Sequence, residues 1–281
     1  MEAKQELEKF SSYMLGERKS PNTIKEYSFL VSVFLNFLKK PLEKCTVEDI
    51  ESYKHYLASA RKYSKTTQYL AIKALKHYYK FKKINVPLNL TVPKRPRKMP
   101  SYLSEREASR LISESSSNSR THLVVSLLAH TGMRVSELCN LKINDIDLDE
   151  NVITIRSGKG DKDRIVIIPD YCRDIIGKYL PERYKMRTAN DFLLVSRKGT
   201  RFDSSTIQRM VRELARTAGI TKKVTPHVLR HTFATAILRN GGDIRFIQQL
   251  LGHSSVATTQ IYTHVDDSAL KEMYQKHRPN Y

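Results

Sequence analysis

Nowhere in this chain do apolar residues run long enough to span a bilayer, so no membrane-crossing helix is expected. Cysteine is scarce. Cys45, Cys139 and Cys172 are scattered, odd in number and without a C-x-x-C pair, which argues against a disulfide framework. A reducing cytosol is the simplest compartment, and a cytoplasmic protein is expected. Met1–Phe10 is charged and lacks the apolar core of a signal peptide. No internal repeat or low-complexity segment is present. Acidic residues are also few: 29 Asp+Glu stand against 49 Lys+Arg, a formal net charge of +20 over 281 residues. The excess is not a tail. Residues 1–97 carry 20 basic and 9 acidic side chains (net +11), and the remainder carries 29 and 20 (net +9). A polyanion that touches both halves fits this spread. The apolar fraction of 40% supports real cores and excludes a disordered chain.

What is present divides in two. The stretch Val92-Pro-Lys-Arg-Pro-Arg-Lys-Met-Pro100 is a basic, proline-broken linker, which sets domains at 1–92 and 101–281 about a linker over 93–100. The first part reads as four helices. Glu6–Leu15 is one. Ser20-Pro21 caps the second, with Ile24, Tyr27, Leu30, Val31, Phe34, Leu35 and Leu38 at helical spacing. Thr46 with Asp49 opens Ile50–Ala60 as a capping box, and Ser64 caps Lys65–Phe81. The aromatics of this part read as core.

The second part is mixed α/β. Ser104–Ser115, His122–His130 and Arg134–Asn140 read as helices. Asn151–Arg156 and Asp163–Pro169 are β-branched runs that form a hairpin with a Gly-rich, basic tip, Ser157-Gly-Lys-Gly-Asp-Lys162. That tip lacks the G-x-x-x-x-G-K-[ST] phosphate-loop pattern. Ser204–Ala218, His227–Arg239 and Ile244–Leu251 are helical, the last capped by Asp243 and stopped by Gly252. Ser254 or Ser255 caps a further helix that carries Tyr262, and the tail 266–281 holds an amphipathic turn or two.

Two arginines, two histidines and a tyrosine are what a metal-free attack on a phosphodiester requires. Charge builds on the non-bridging oxygens, which calls for fixed cationic donors, and on the departing oxygen, which calls for an acid. Arginine suits the donor role because its planar fork matches two phosphate oxygens and its charge does not titrate away. Arg134, in Thr131-Gly-Met-Arg-Val-Ser-Glu-Leu138, and Arg230, in Thr225-Pro-His-Val-Leu-Arg230, are the candidates, 96 positions apart. Glu137, one turn after Arg134, can orient it. Lys159 at the hairpin tip can protonate a leaving oxygen, with Lys162 and Arg164 as competing neighbours. His227 and His253 can exchange protons near neutral pH. His227 and His231 have zinc-ligand spacing but no cysteine pair and no Glu after the first His, so no metal and no cofactor is expected. Tyr262 supplies a phenol.

These positions, in this order, resemble the tyrosine recombinase (phage-integrase-like) family, and the Xer recombinases in particular. The resemblance spans nearly the whole chain. It implies a mainly α protein with a small β-sheet: a four-helix core-binding domain and a mixed catalytic domain. It also assigns roles. Arg134 and Arg230 clamp the scissile phosphate, Lys159 is the general acid, His227 the acid/base and His253 a donor to the phosphate. Tyr262 is the nucleophile that forms a 3′-phosphotyrosine. The implied partners are double-stranded DNA with a specific site and further copies of the chain, two per site and four in a synapse, linked through the tail. Three alternatives stay open at this point. They are integration or excision of a mobile element, a type IB topoisomerase-like nicking-closing enzyme, and a DNA-binding regulator without catalysis.

Overall fold

The computed structural model describes residues 2–85, 101–156, 163–186, 188–252 and 267–281. The chain falls into two compact units, Met1–Lys98 and Met99–Tyr281. The basic linker 93–100 lies outside the described residues.

The first unit consists of α1 (Glu2–Gly16), α2 (Pro21–Leu38), α3 (Val47–Ser59) and α4 (Lys65–Lys82). Each of the last three begins at the expected cap. The hydroxyls of Ser20 and Ser64 accept the N–H groups of Thr23 and Thr67. At α3 the box is reciprocal: the Asp49 N–H donates to Thr46 Oγ1 at 3.4 Å, and the Thr46 N–H donates to Asp49 Oδ2 at 2.7 Å. Such caps satisfy donors that the first helical turn leaves without partners, each contributing about 1 kcal/mol. Helix α2 packs against α1, α3 and α4. The core is strongly aromatic. Phe10 meets Tyr78 edge-on at 5.1 Å and Phe34 meets Tyr53 at 5.0 Å, an arrangement that ring quadrupoles favour.

The second unit is built around α6 (Ser119–Thr131), whose residues from Leu123 to Thr131 are all buried. A helix apolar or enclosed on every side belongs inside a domain. It packs against α5 (Glu105–Ser115), α8 (Asp170–Lys185), α9 (Ser204–Thr217) and α10 (Pro226–Arg239). Helix α7 (Val135–Asn140) follows α6 after the three residues Gly132-Met133-Arg134, and α11 (Ile244–Leu251) packs on α10. The hairpin is present as β2 (Val152–Ile155) and β3 (Arg164–Ile167), antiparallel, with Ile155 opposite Arg164 as the rung nearest the tip. A short strand, β1 (Ile146–Asp147), adds to β2 and makes a three-stranded sheet in the order β1-β2-β3.

Helix α8 was not foreseen. The segment forming α8 contains Gly177 and, inside the helix, Pro181. Both weaken helical propensity, and Pro181 removes an N–H from the ladder. Burial overrides them: Cys172, Ile175, Ile176 and Tyr179 are enclosed along the face that packs on α6.

The tail forms a full helix, α12 (Asp267–His277), docked on its own chain. Tyr274 is 1% exposed and its hydroxyl donates to the His130 carbonyl at 2.8 Å. The Tyr281 hydroxyl donates to the Ala129 carbonyl at 3.1 Å. Among the described residues no helix is long and apolar enough to cross a membrane.

Candidate active site

Two glycines bring the site together. Gly132 ends α6 with φ +62, a left-handed conformation that costs glycine little. A Cβ there would lie 2.4 Å from Phe233 Cδ1 on α10 and 2.8 Å from Leu251 Cδ2 on α11. The absent side chain therefore lets the α6–α7 corner sit against both later helices. Gly252 ends α11 in the same conformation, with φ +62. A Cβ on it would lie 2.9 Å from Arg164 Cδ.

The last carbonyls of a helix have no partners within it and form the negative pole of its dipole. At α11 three guanidinium groups take them. Arg164 Nε donates to the Leu250 carbonyl at 3.2 Å. Arg230 Nη2 donates to Leu251 at 2.7 Å, and Arg134 Nη2 to Gly252 at 3.0 Å. Arg230, buried near the start of α10, also donates through Nη1 to the Gly132 carbonyl at 2.5 Å. Arg134 and Arg230, far apart in sequence, thus hold adjacent carbonyls of one helix end.

Glu137 sits among the cations. It accepts from Arg134 Nη1 at 2.7 Å and from the Arg134 backbone N–H at 2.6 Å. It also accepts both ends of the Arg164 fork, at 2.9 and 2.7 Å. Burial raises the Glu137 carboxyl, but the bonds from Arg164 and Arg134 outweigh it and hold the group below its ordinary value. Burial first, then the neighbouring charge of Arg134, push the Arg230 guanidinium down to about 10. It stays charged at neutral pH, in a site with three cations and one carboxylate. Such a cluster, with an excess of positive charge, suits an anion.

Removing that carboxylate has a large expected effect. Glu137→Gln leaves Arg134 and Arg164 without their shared counter-charge, and the chain should lose about 3 kcal/mol of stability at pH 7, the scale of breaking an enclosed ion pair. Because the folded carboxyl is held below its unfolded value, its contribution is fully present above the ordinary carboxylate range. It fades as pH falls through the depressed value. Urea midpoints of wild type and variant should therefore converge below about pH 4; a gap that stays constant with pH would count against this pairing.

His227 is exposed in the first turn of α10. His231, one turn on, lies at the surface; partial desolvation and then the neighbouring His227 and Arg230 push its imidazole below the ordinary value. Lys159, His253 and Tyr262 lie outside the described residues, as does Lys162. Among the described residues no three His, Cys, Asp or Glu side chains group closely enough to hold a metal ion. Sequence reasoning named Arg164 as a rival to Lys159 for the acid role; instead it is the second partner of Glu137. Its signal is a single charged residue opening the apolar strand Arg164-Ile-Val-Ile167, beside the Gly-rich tip.

Known proteins carry the same organisation. Residues 101–269 match the Phage integrase family, and residues 7–83 match the phage integrase N-terminal SAM-like domain. The tyrosine recombinase XerA of Pyrococcus furiosus is 40% identical over 275 residues, which cover 96% of this chain and 93% of XerA. A crystal structure of XerA recombinase is 62% identical, with a TM-score of 0.55, over 99% of this chain and 100% of that one. A structure of XerH site-specific recombinase bound to its difH substrate before cleavage is 25% identical, with a TM-score of 0.71, over 89% and 78% of the two chains. A mainly helical chain with a small antiparallel sheet, a SAM-like N-terminal unit and paired arginines at one helix end belongs to the phage integrase family, as a site-specific tyrosine recombinase of Xer type.

Proposed function

We propose that this chain cuts and rejoins duplex DNA at a specific site by transesterification through Tyr262, with neither metal nor ATP. The observation that supports this most is the convergence of Arg134 and Arg230 on the carbonyls of Leu251 and Gly252. Two donors of each fork are held by the scaffold, and the outward donors take the non-bridging oxygens of the scissile phosphate. Charge that develops there meets cations already in place, so little reorganisation is needed.

The step balances simply. The Tyr262 phenol oxygen bonds to phosphorus and the bond to the 5′-oxygen breaks. His227 takes the phenol proton, Lys159 gives a proton to the departing 5′-oxygen, and His253 donates a hydrogen bond to the phosphate. The products are a 3′-phosphotyrosine and a free 5′-hydroxyl. The phosphotyrosine retains the diester's free energy, and attack by a new 5′-hydroxyl reverses the step on another strand. Residues 1–92 and 101–281 act as two DNA-holding domains joined by the basic strap 93–100. Two copies bind each site and four form a synapse through tail 266–281. This organisation suits the resolution of chromosome or plasmid dimers in the cytoplasm.

The test is a pool of nicked duplexes with randomised sequence beside the nick, incubated with the protein. Loss of the short strand past the nick prevents religation and traps the enzyme. A covalent complex on the DNA 3′ side, mapped to Tyr262, supports the proposal and returns the preferred site by sequencing. No complex, or one on another residue, overturns it. Binding to the recovered site should also weaken steeply with salt, by about 0.9 in the log–log slope for each phosphate neutralised. A nearly flat salt titration is inconsistent with a DNA clamp.

A further inference from the structure

Arg164 makes more of the site than its place in a strand requires. Its side chain is 11% exposed. Both Nη atoms engage Glu137 and its Nε engages the Leu250 carbonyl, so all three nitrogens of the guanidinium are tied to protein groups. It stands on the rung Ile155–Arg164, the rung nearest the tip, and Lys159 follows only four residues after Ile155. One side chain therefore joins three things: the tip-side end of the hairpin ladder, the carboxylate that orients Arg134, and the end of α11. Gly252 is shaped to admit it, since any Cβ there would press on Arg164 Cδ, Nε and Nη1 at 2.9 to 3.1 Å.

The other arm of the hairpin offers a contrast. Arg156 Nε donates to Asp145 Oδ1 at 2.7 Å, but the Arg156 side chain is 67% exposed. With its cation in water, that pair is screened and holds its strand only loosely, although Asp145 itself is enclosed. An enclosed, three-point contact holds its strand far more firmly, because a planar fork keeps direction as well as distance.

Resting on the function proposed above, we infer that Arg164 is a positioning residue for proton delivery: it locks the tip-side end of β3, from which the segment bearing Lys159 departs, to the Arg134–Glu137 pair. Arg164 is not itself the acid. Its role is to fix the strand end that carries the acid-bearing segment against Glu137 and the end of α11. A displacement of the order of 1 Å at such a distance from the chemistry costs roughly 10²-fold in rate.

The test compares two nicked duplexes of the recovered site. One has the ordinary 5′-oxygen at the scissile phosphate, the other a bridging 5′-sulfur. A thiolate, whose conjugate acid titrates near ~8.5, departs without a proton donor, whereas an alkoxide does not. Arg164→Ala should cleave the oxygen substrate about 10²-fold more slowly than wild type, yet cleave the sulfur substrate within about threefold, since only the proton-transfer advantage is lost. Lys159→Ala should show the same rescue. The double variant should be no slower than Lys159→Ala alone, because two residues serving one step do not add. Arg156→Ala should match wild type on both substrates.

Thermal melting accompanies each variant. If Arg164→Ala does not fold, Arg164→Lys, which keeps the charge but not the fork, is read in its place, with a smaller loss and the same rescue. An equal deficit on both substrates overturns the inference, because Arg164 then acts on the clamp or the fold. So does absence of sulfur rescue for Lys159→Ala, or failure of the lysine variant to fold. Wild-type protein that forms no covalent complex on either duplex overturns the functional reading itself.

Discussion

Arg230→Ala should slow covalent capture of DNA by about 10²–10³-fold at saturating protein, the loss typical of one preorganised donor at a developing charge. The expectation follows from where Arg230 is held. Its guanidinium is buried and bridges the Gly132 and Leu251 carbonyls, which fixes its plane before any DNA arrives. Alanine removes the cation and leaves two carbonyls without donors, at about 1–3 kcal/mol each if water does not reach them. Stability must therefore be followed beside rate. Arg230→Lys separates the two effects: it keeps a charge but cannot span both carbonyls and a phosphate. It should recover much of the stability and little of the cleavage. Single-turnover cleavage of a nicked duplex, with melting temperatures for both variants, provides the check. Cleavage by Arg230→Ala within tenfold of wild type would remove Arg230 from the clamp.

Tyr262→Phe should give a larger effect still, with no covalent complex at any time, while affinity for DNA stays within about twofold because binding rests on phosphate contacts made elsewhere. The substitution removes one oxygen and changes little in shape. Among the described residues, Arg134, Arg230 and Glu137 find their partners at the ends of α6 and α11, at α7 and on β3. Wild type and variant are compared by denaturing gel for adduct and by native gel for binding. An adduct that persists in the variant would show that another side chain attacks. Loss of binding along with the adduct would show that Tyr262 serves the fold.

Much of the architecture was legible because it is written in local chemistry. Ser20-Pro21, Thr46 with Asp49, Ser64 and Asp243 all cap helices where their side chains predict, because a cap depends on residues two or three positions away. Helix α8 was not legible, since Gly177 and Pro181 speak against a helix locally and only packing on α6 decides for one. Strand β1 is too short to have a periodicity. It exists because Ile146 and Asp147 lie beside Ile153 and Val152.

The same division runs through the candidate site. Residue type and order along the chain were enough to mark Arg134, Glu137 and Arg230, since a planar, permanently charged fork and a nearby carboxylate have a chemistry that needs no coordinates. They could not say that both arginines would meet at the end of α11, because 96 positions separate them and only long-range packing closes that distance. Nor could they assign Arg164, whose partner Glu137 lies on another element. Gly132 and Gly252 make the meeting possible, and their necessity appears only when neighbours crowd the place where a Cβ would stand. Charge, caps and motif order are properties of the chain. Which carbonyls hold which guanidinium is a property of the packed fold, because hydrogen bonds act over a few ångströms of space and are indifferent to distance along the sequence.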